Sequence, residues 1–122
     1  MNQIVTFLLT QNPDAAIKFY QDKLGLTYIR DDGFALVFDM KGITLRISKV
    51  LKFTPAEHTV LGWETSEIHR ELAELVKKGV TFERYPNMGQ DVQGVCTFPG
   101  GSKVAWFKDP DGNVLSISQH PE

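Results

Sequence analysis

Hydrophobic and polar positions follow two rhythms along the chain, and both rhythms occur twice. Ile4–Leu9 is an apolar, β-rich run that predicts a buried strand. Asn12 is placed to cap a helix and Pro13 suits its first turn. Ala16, Ile17, Tyr20 and Leu24 then recur at helical spacing, and Gly25 closes the segment. Strands follow at Leu26–Arg30, Phe34–Asp39 and Ile43–Val50, separated by turns at Asp31-Asp32-Gly33 and Lys41-Gly42. The first half therefore reads βαβββ. The second half reads the same way. His58–Glu64 predicts a strand, and Ser66 opens a helix with Ile68, Leu72, Leu75 and Val76 on one face, closed by Gly79. Val80–Tyr85, Lys103–Lys108 and Val114–Gln119 predict three more strands. Asp109-Pro110-Asp111-Gly112 carries Pro and Gly where a tight hairpin turn wants them.

The two halves also match in sequence. Leu24–Arg30 lies over Lys78–Arg84 with Gly, Thr and Arg identical, an offset of 54 set by Gly25 and Gly79. Asp39–Ser48 lies over Asp109–Ser118 with Asp, Gly, Leu, Ile and Ser identical, an offset of 70 set by Gly42 and Gly112. The offset grows by 16 between these matches, so the second half carries about that many extra residues near Tyr85–Gly101. Pro86, Gly89, Gly94, Pro99, Gly100 and Gly101 make that stretch a loop, and a long loop in a compact fold points to a flap beside a binding site.

Composition narrows the classes. A chain of 122 residues fits one domain built of two half-domains, here module 1 at about 1–50, a linker at 51–57 and module 2 at about 58–119. A hydrophobic share of 42% with a net charge of −2 argues against disorder. Thirteen basic against 15 acidic residues argue against a nucleic-acid binder. No apolar run reaches the ~20 residues of a membrane span, and Met1–Phe7 reads as a strand entry rather than a signal peptide. Cys96 is the single cysteine, so no intrachain disulfide forms. The expectation is a cytoplasmic protein with neither nucleic-acid nor membrane partners.

A duplicated βαβββ chain of this length resembles the vicinal oxygen chelate superfamily, also called glyoxalase/bleomycin resistance/dioxygenase. Phe19-Tyr20 followed by Leu24-Gly25-Leu26 resembles its first-helix signature, and Phe107-Lys108-Asp109-Pro110-Asp111-Gly112-Asn113 its last-hairpin signature. Arg84–Gln119 is similar to an uncharacterised bacterial branch. The resemblance implies an α+β fold in which two βαβββ modules form a half-open, eight-stranded, barrel-like sheet around a concave cavity. It also implies a homodimer. Metal-dependent members hold a divalent ion in that cavity, where it binds substrate oxygens and stabilises a developing enolate.

The positions that carry the family's metal ligands are changed here. The first-strand His is replaced by Val5, the last-strand acid by Ser116, and the acid at its repeat mate by Arg46. The remaining His position falls at Val60, with His58 two residues away. A divalent site needs several convergent N or O ligands, and a cation beside Arg46 would be repelled. No metal or other cofactor is therefore expected. Alternation on the fourth and eighth strands places Arg46 and Ser48, and Ser116, on the polar faces that would line the cavity. Arg46 offers a fork suited to a carboxylate or enolate.

His58 and Glu64 are candidates for the fifth-strand side of the cavity, and Trp106 for stacking on a planar ligand, or for the core. Tyr85, Met88 and Phe98 are placed to close the inserted loop over an apolar ligand. Cys96 gains no basic neighbour in sequence, and His69 and His120 gain no role. The reading is a small-molecule-binding protein that takes a small anionic ligand on Arg46, Ser48, His58, Glu64, Trp106 and Ser116, with no catalytic residue assigned. One alternative is a metal-dependent lyase, isomerase or dioxygenase with a displaced metal site. Another is a non-catalytic drug- or metabolite-sequestering resistance protein.

Overall fold

The computed structural model describes every residue, Met1–Glu122. The chain forms two compact units. The first comprises Met1–Pro55 together with Asp109–Gly112, and the second comprises Ala56–Lys108 together with Asn113–Glu122. Both are βαβββ modules, and the fold is α+β.

The first unit contains β1 (Val5–Thr10), α1 (Pro13–Lys18), β2 (Thr27–Asp31), β3 (Ala35–Met40) and β4 (Ile43–Lys49). Its sheet has the order β1-β4-β3-β2, with β1 parallel to β4 and the other pairs antiparallel. Alternation assigns the faces. Leu8, Leu36, Phe38, Leu45 and Ile47 are buried with Ala16 and Tyr20, and the Tyr20 and Phe38 rings lie 5.8 Å apart. The opposite face carries Phe7, Arg46 and Val37 in one cross-strand row. Helix α1 continues into a π-helical turn, Phe19–Lys23, and Gly25 at φ 73° ends it. Asn12 sits at the N-cap but its side chain does not cap; its amide donates to Asp111 at 3.3 Å instead.

The second unit contains β5 (Thr59–Glu64), α2 (Ile68–Lys77), β6 (Cys96–Thr97), β7 (Lys103–Lys108) and β8 (Val114–Gln119). Its sheet order, β5-β8-β7-β6, repeats that of the first unit, and neither four-stranded sheet closes on itself. Gly79 ends α2 at φ 95°, as Gly25 ends the first helix, and Gly42 and Gly112 occupy equivalent turns at φ 93° and 90°. A side chain with a Cβ rarely adopts such angles, so the repeated glycines mark repeated geometry. Phe107, Leu115 and Ile117 are buried on the helix side of this sheet along with Ile68, Leu72 and Leu75 of α2.

Three further local expectations are corrected. Val80–Tyr85 is not a continuous strand. Phe82 makes a single bridge to Phe107 and the Glu83 N–H donates to the Trp106 carbonyl at 2.7 Å, after which the chain leaves the sheet. It rejoins β7 at Cys96–Thr97, opposite Val104 and Lys103. The inserted residues thus interrupt the edge strand rather than follow it. Ser66 does not cap α2. Glu67 holds the cap position, and the Ile68 N–H is met by Oε1 of Gln119 at 2.8 Å. His58 lies one residue before β5 rather than in it, and a bulge between Thr59 and Leu61 puts Thr59, not Val60, on the face shared with Gly62 and Glu64.

Candidate functional site

In the second unit, β7 and β8 alternate so that Ala105 and Phe107 go to the core with Leu115 and Ile117, while Trp106 shares the other face with Ser116, its partner across the ladder. A recess of about 340 Å³ opens on the Trp106 face, lined by Glu57, His58, Thr59, Tyr85, Met88, Trp106 and Val114. The Tyr85 and Trp106 rings stand edge to face, with centroids 5.6 Å apart at 80°. This is a favoured geometry for two aromatic quadrupoles, so the pair forms a defined wall.

The inserted loop supplies Tyr85 and Met88, and it is held by its own polar groups. The Gln90 side chain accepts from the Tyr85 N–H at 2.8 Å and donates to the carbonyls of Glu83 at 2.9 Å and Gly94 at 2.8 Å, joining the two ends of the excursion. The buried Cys96 thiol donates to the Met88 carbonyl at 3.1 Å, a positioning contact and not a reactive one. His69 is not a bare surface residue. It bonds the Asp91 carboxylate at 2.8 Å, and its carbonyl accepts from Gln93. Beside this histidine, and with backbone N–H donors from Val95 and Gln93, the Asp91 carboxyl is held below the usual carboxylate range despite its partial desolvation.

The candidates do not all converge. Trp106 and His58 line the recess. Ser116 is buried beside Gly62, where an added Cβ would sit 2.7 Å from its hydroxyl. Glu64 pairs with Ser118 at the other end of β5 and does not line the recess with His58. Thr59, Val114 and Glu57 line it without having been singled out by sequence; the bulge that turns Thr59 inward leaves no periodic signal. Phe98 is partly exposed and does not line it.

Arg46 and Ser48 lie together in the first unit, both half-buried on the face of β4 opposite the helix. Arg46 is already paired, its guanidinium donating to Asp32 at 2.6 Å. The Arg46 hydrogen bond, followed by the N–H groups of Ala35 and Phe34, holds the Asp32 carboxyl far below its ordinary range. The Lys49 hydrogen bond at 2.7 Å, followed by the Gly33 N–H, holds the Asp31 carboxyl below its ordinary value. The end of β2 and the turn after it thus supply an acid to each of these two β4 cations.

Of the positions at which the resemblance places metal ligands, the first unit carries an apolar Val5 and an ion-paired Arg46, and the second carries Val60 and the Ser116 hydroxyl; no group of three His, Cys, Asp or Glu side chains comes together.

The Glyoxalase/Bleomycin resistance protein/Dioxygenase superfamily model matches residues 1–117. Among solved structures, a glyoxalase/bleomycin resistance protein/dioxygenase from Nocardioides superposes with a TM-score of 0.74 at 19% identity, covering 98% of this chain and 83% of that one. Lactoylglutathione lyase from Agrobacterium tumefaciens gives 0.71 at 18% identity, covering 95% and 91%. TioX from Micromonospora sp. ML1 gives 0.70 at 12% identity, covering 99% and 100%. These likenesses concern the fold. No sequence match to a curated protein accompanies them.

Proposed function

The chain belongs to the glyoxalase/bleomycin resistance/dioxygenase superfamily, and on that premise we propose that it binds a small molecule bearing a flat apolar ring in the recess of Trp106, Tyr85 and Met88. The observation that carries this reading is the edge-to-face Trp106–Tyr85 wall of a recess of about 340 Å³, a size suited to one small organic ligand. Met88 adds a polarizable thioether that adapts to a ring edge. His58 and Glu57 supply polar groups that orient a substituent.

An anionic substituent is not required by this site. Arg46 stands in the other unit with its charge engaged by Asp32, so an anion there must compete with a carboxylate already bonded at 2.6 Å. The reading is of a binder that uses no divalent metal. We also propose a cytoplasmic homodimer. No helix is long and apolar enough to cross a membrane, and the outer edges of two open sheets favour pairing between copies. A single monomeric species by sedimentation at micromolar concentration would contradict the dimer.

The ligand reading is tested with 2-naphthol and 2-naphthoate, which share a ring and differ in charge. Both are titrated against the fluorescence of a Trp63→Phe variant, in which Trp106 alone reports. Saturable quenching by both is expected, with affinity reduced about tenfold or more when Tyr85 is replaced by Ala. Binding detected by calorimetry that survives Trp106→Ala and Tyr85→Ala unchanged would refute the assignment.

A further inference from the structure

A second recess, of about 510 Å³, lies between α2 and the inserted loop of the same unit. It is separate from the Trp106 recess, sharing no lining residue with it. Phe82, which lines it, stacks edge-on against Phe107, a buried residue of the helix side. Leu72 and Val80 are buried there, whereas Val76 and Val92 are left 57% and 92% exposed.

Two features make this more than an incidental hollow. The loop that carries Val92 is braced without using Val92. Arg84 donates to the Asp91 carbonyl at 2.5 Å and to the Val92 carbonyl, Gln93 donates to the His69 carbonyl at 3.0 Å, and Asp91 is bonded to His69. Polar contacts thus preorganise an apolar side chain that the fold itself does not bury, which lowers the ordering cost of a ligand that covers it.

The second feature is charge. Arg84 lines the recess and pairs with no carboxylate; carbonyl oxygens occupy two of its five N–H donors. The Asp91 carboxylate nearby is engaged by His69 and by the N–H groups of Gln93 and Val95. An apolar trough with an uncompensated guanidinium complements a ligand with an apolar body and an anionic head, because the guanidinium fork matches a carboxylate.

We infer that this recess binds an amphipathic carboxylate, its aliphatic chain against Val76, Val80, Phe82 and Val92 and its head group at Arg84. The test uses decanoate below its micelle-forming concentration with the 15N-labelled chain. Saturable shifts are expected at the amides of Val76, Val80, Phe82 and Val92. Val92→Asp puts a like charge where the side chain is exposed, so folding is retained and decanoate binds about tenfold or more weaker. 1-Decanol, which lacks the charge, also binds at least about tenfold more weakly than decanoate. Shifts confined to the Trp106 recess, equal affinity for decanol and decanoate, or an affinity unchanged by Val92→Asp would each overturn the inference. So would a self-association that Val92→Asp abolishes with no saturable decanoate response, which would make the surface a contact between copies.

Discussion

The Tyr20 hydroxyl donates a 2.7 Å hydrogen bond to Oδ2 of Asp109, 89 residues further along the chain, and both side chains are buried. Next to it, the Thr10 hydroxyl and the Gln11 N–H donate to the Asp111 carboxylate, the latter at 2.8 Å. The Phe-Tyr pair of the first helix and the Asp-Pro-Asp-Gly turn are therefore two sides of one polar contact inside the first unit. Their role in this chain is structural, and the contact carries no information about a ligand.

Tyr20→Phe keeps the ring and removes the donor. A hydrogen bond to a charged group contributes about 1.5–3 kcal/mol, so urea unfolding of the variant is expected to show a loss in that range. A loss below about 0.5 kcal/mol would mean that Asp109 is fully satisfied by its other contacts.

Burial first, then the negative charge and hydrogen bond of Asp109, push the Tyr20 hydroxyl far above its ordinary value of 10.0. A raised folded value means that the stabilisation is complete below pH 10 and is lost as the pH rises above it, because the unfolded tyrosine ionises first. Between pH 10 and 11 the protein should lose up to about 1.4 kcal/mol per pH unit more than Tyr20→Phe does. Parallel alkaline limbs for the two proteins would contradict this.

Gly62 and Ser116 face each other across β5 and β8, and a Cβ on residue 62 would lie 2.7 Å from the Ser116 hydroxyl and 3.2 Å from its carbonyl oxygen. Gly62→Ala should cost about 1–3 kcal/mol by overpacking. Removing the hydroxyl with Ser116→Ala in the same chain should recover part of it, giving a measurable coupling in a double-mutant cycle. Strict additivity would show that the strand shifts to make room.

Arg46→Met should raise the Asp32 carboxyl toward its ordinary range, as followed by carboxyl-carbon NMR titration, leaving the two backbone donors to hold it part of the way. A depressed folded value gives stabilisation that is present above the unfolded value of 3.8 and lost as the pH falls through the folded one. The acid limb of stability should accordingly be shallower in the variant. An unmoved Asp32 titration would show that the turn N–H groups alone set it.

The positions of most strands and turns are legible because alternation with period two is a local signal, and because a positive φ at Gly42 and Gly112 restricts the residue type, whereas the order of strands within each sheet is set by pairing between distant segments. Sequence alone fits Trp106 to either core or cavity; its neighbour Phe107, buried against Phe82, takes the core face and puts Trp106 on the other. Other features depend on partners far along the chain. The α2 cap comes from Gln119, and the charge that occupies Arg46 comes from a turn folded over β4. Val80–Tyr85 reads as a strand whether an insertion follows it or splits it, and only the pairing of β7 with both Phe82 and Cys96 separates the cases. The bulge at the start of β5 turns Thr59 to the recess face, which alternation along the strand does not predict: one extra residue reverses a face without changing composition.

The placement of Asp109–Gly112 in the first unit bears on how the protein is made. During synthesis Thr10, Gln11 and Tyr20 leave the ribosome early, but their acceptors are translated about a hundred residues later. The amino-terminal unit can collapse as it emerges, yet it is complete only once Asp109–Gly112 have themselves left the ribosome. A nascent chain stalled before Asp109 should therefore show β-structure and a loose, protease-sensitive helix α1 in the same molecule.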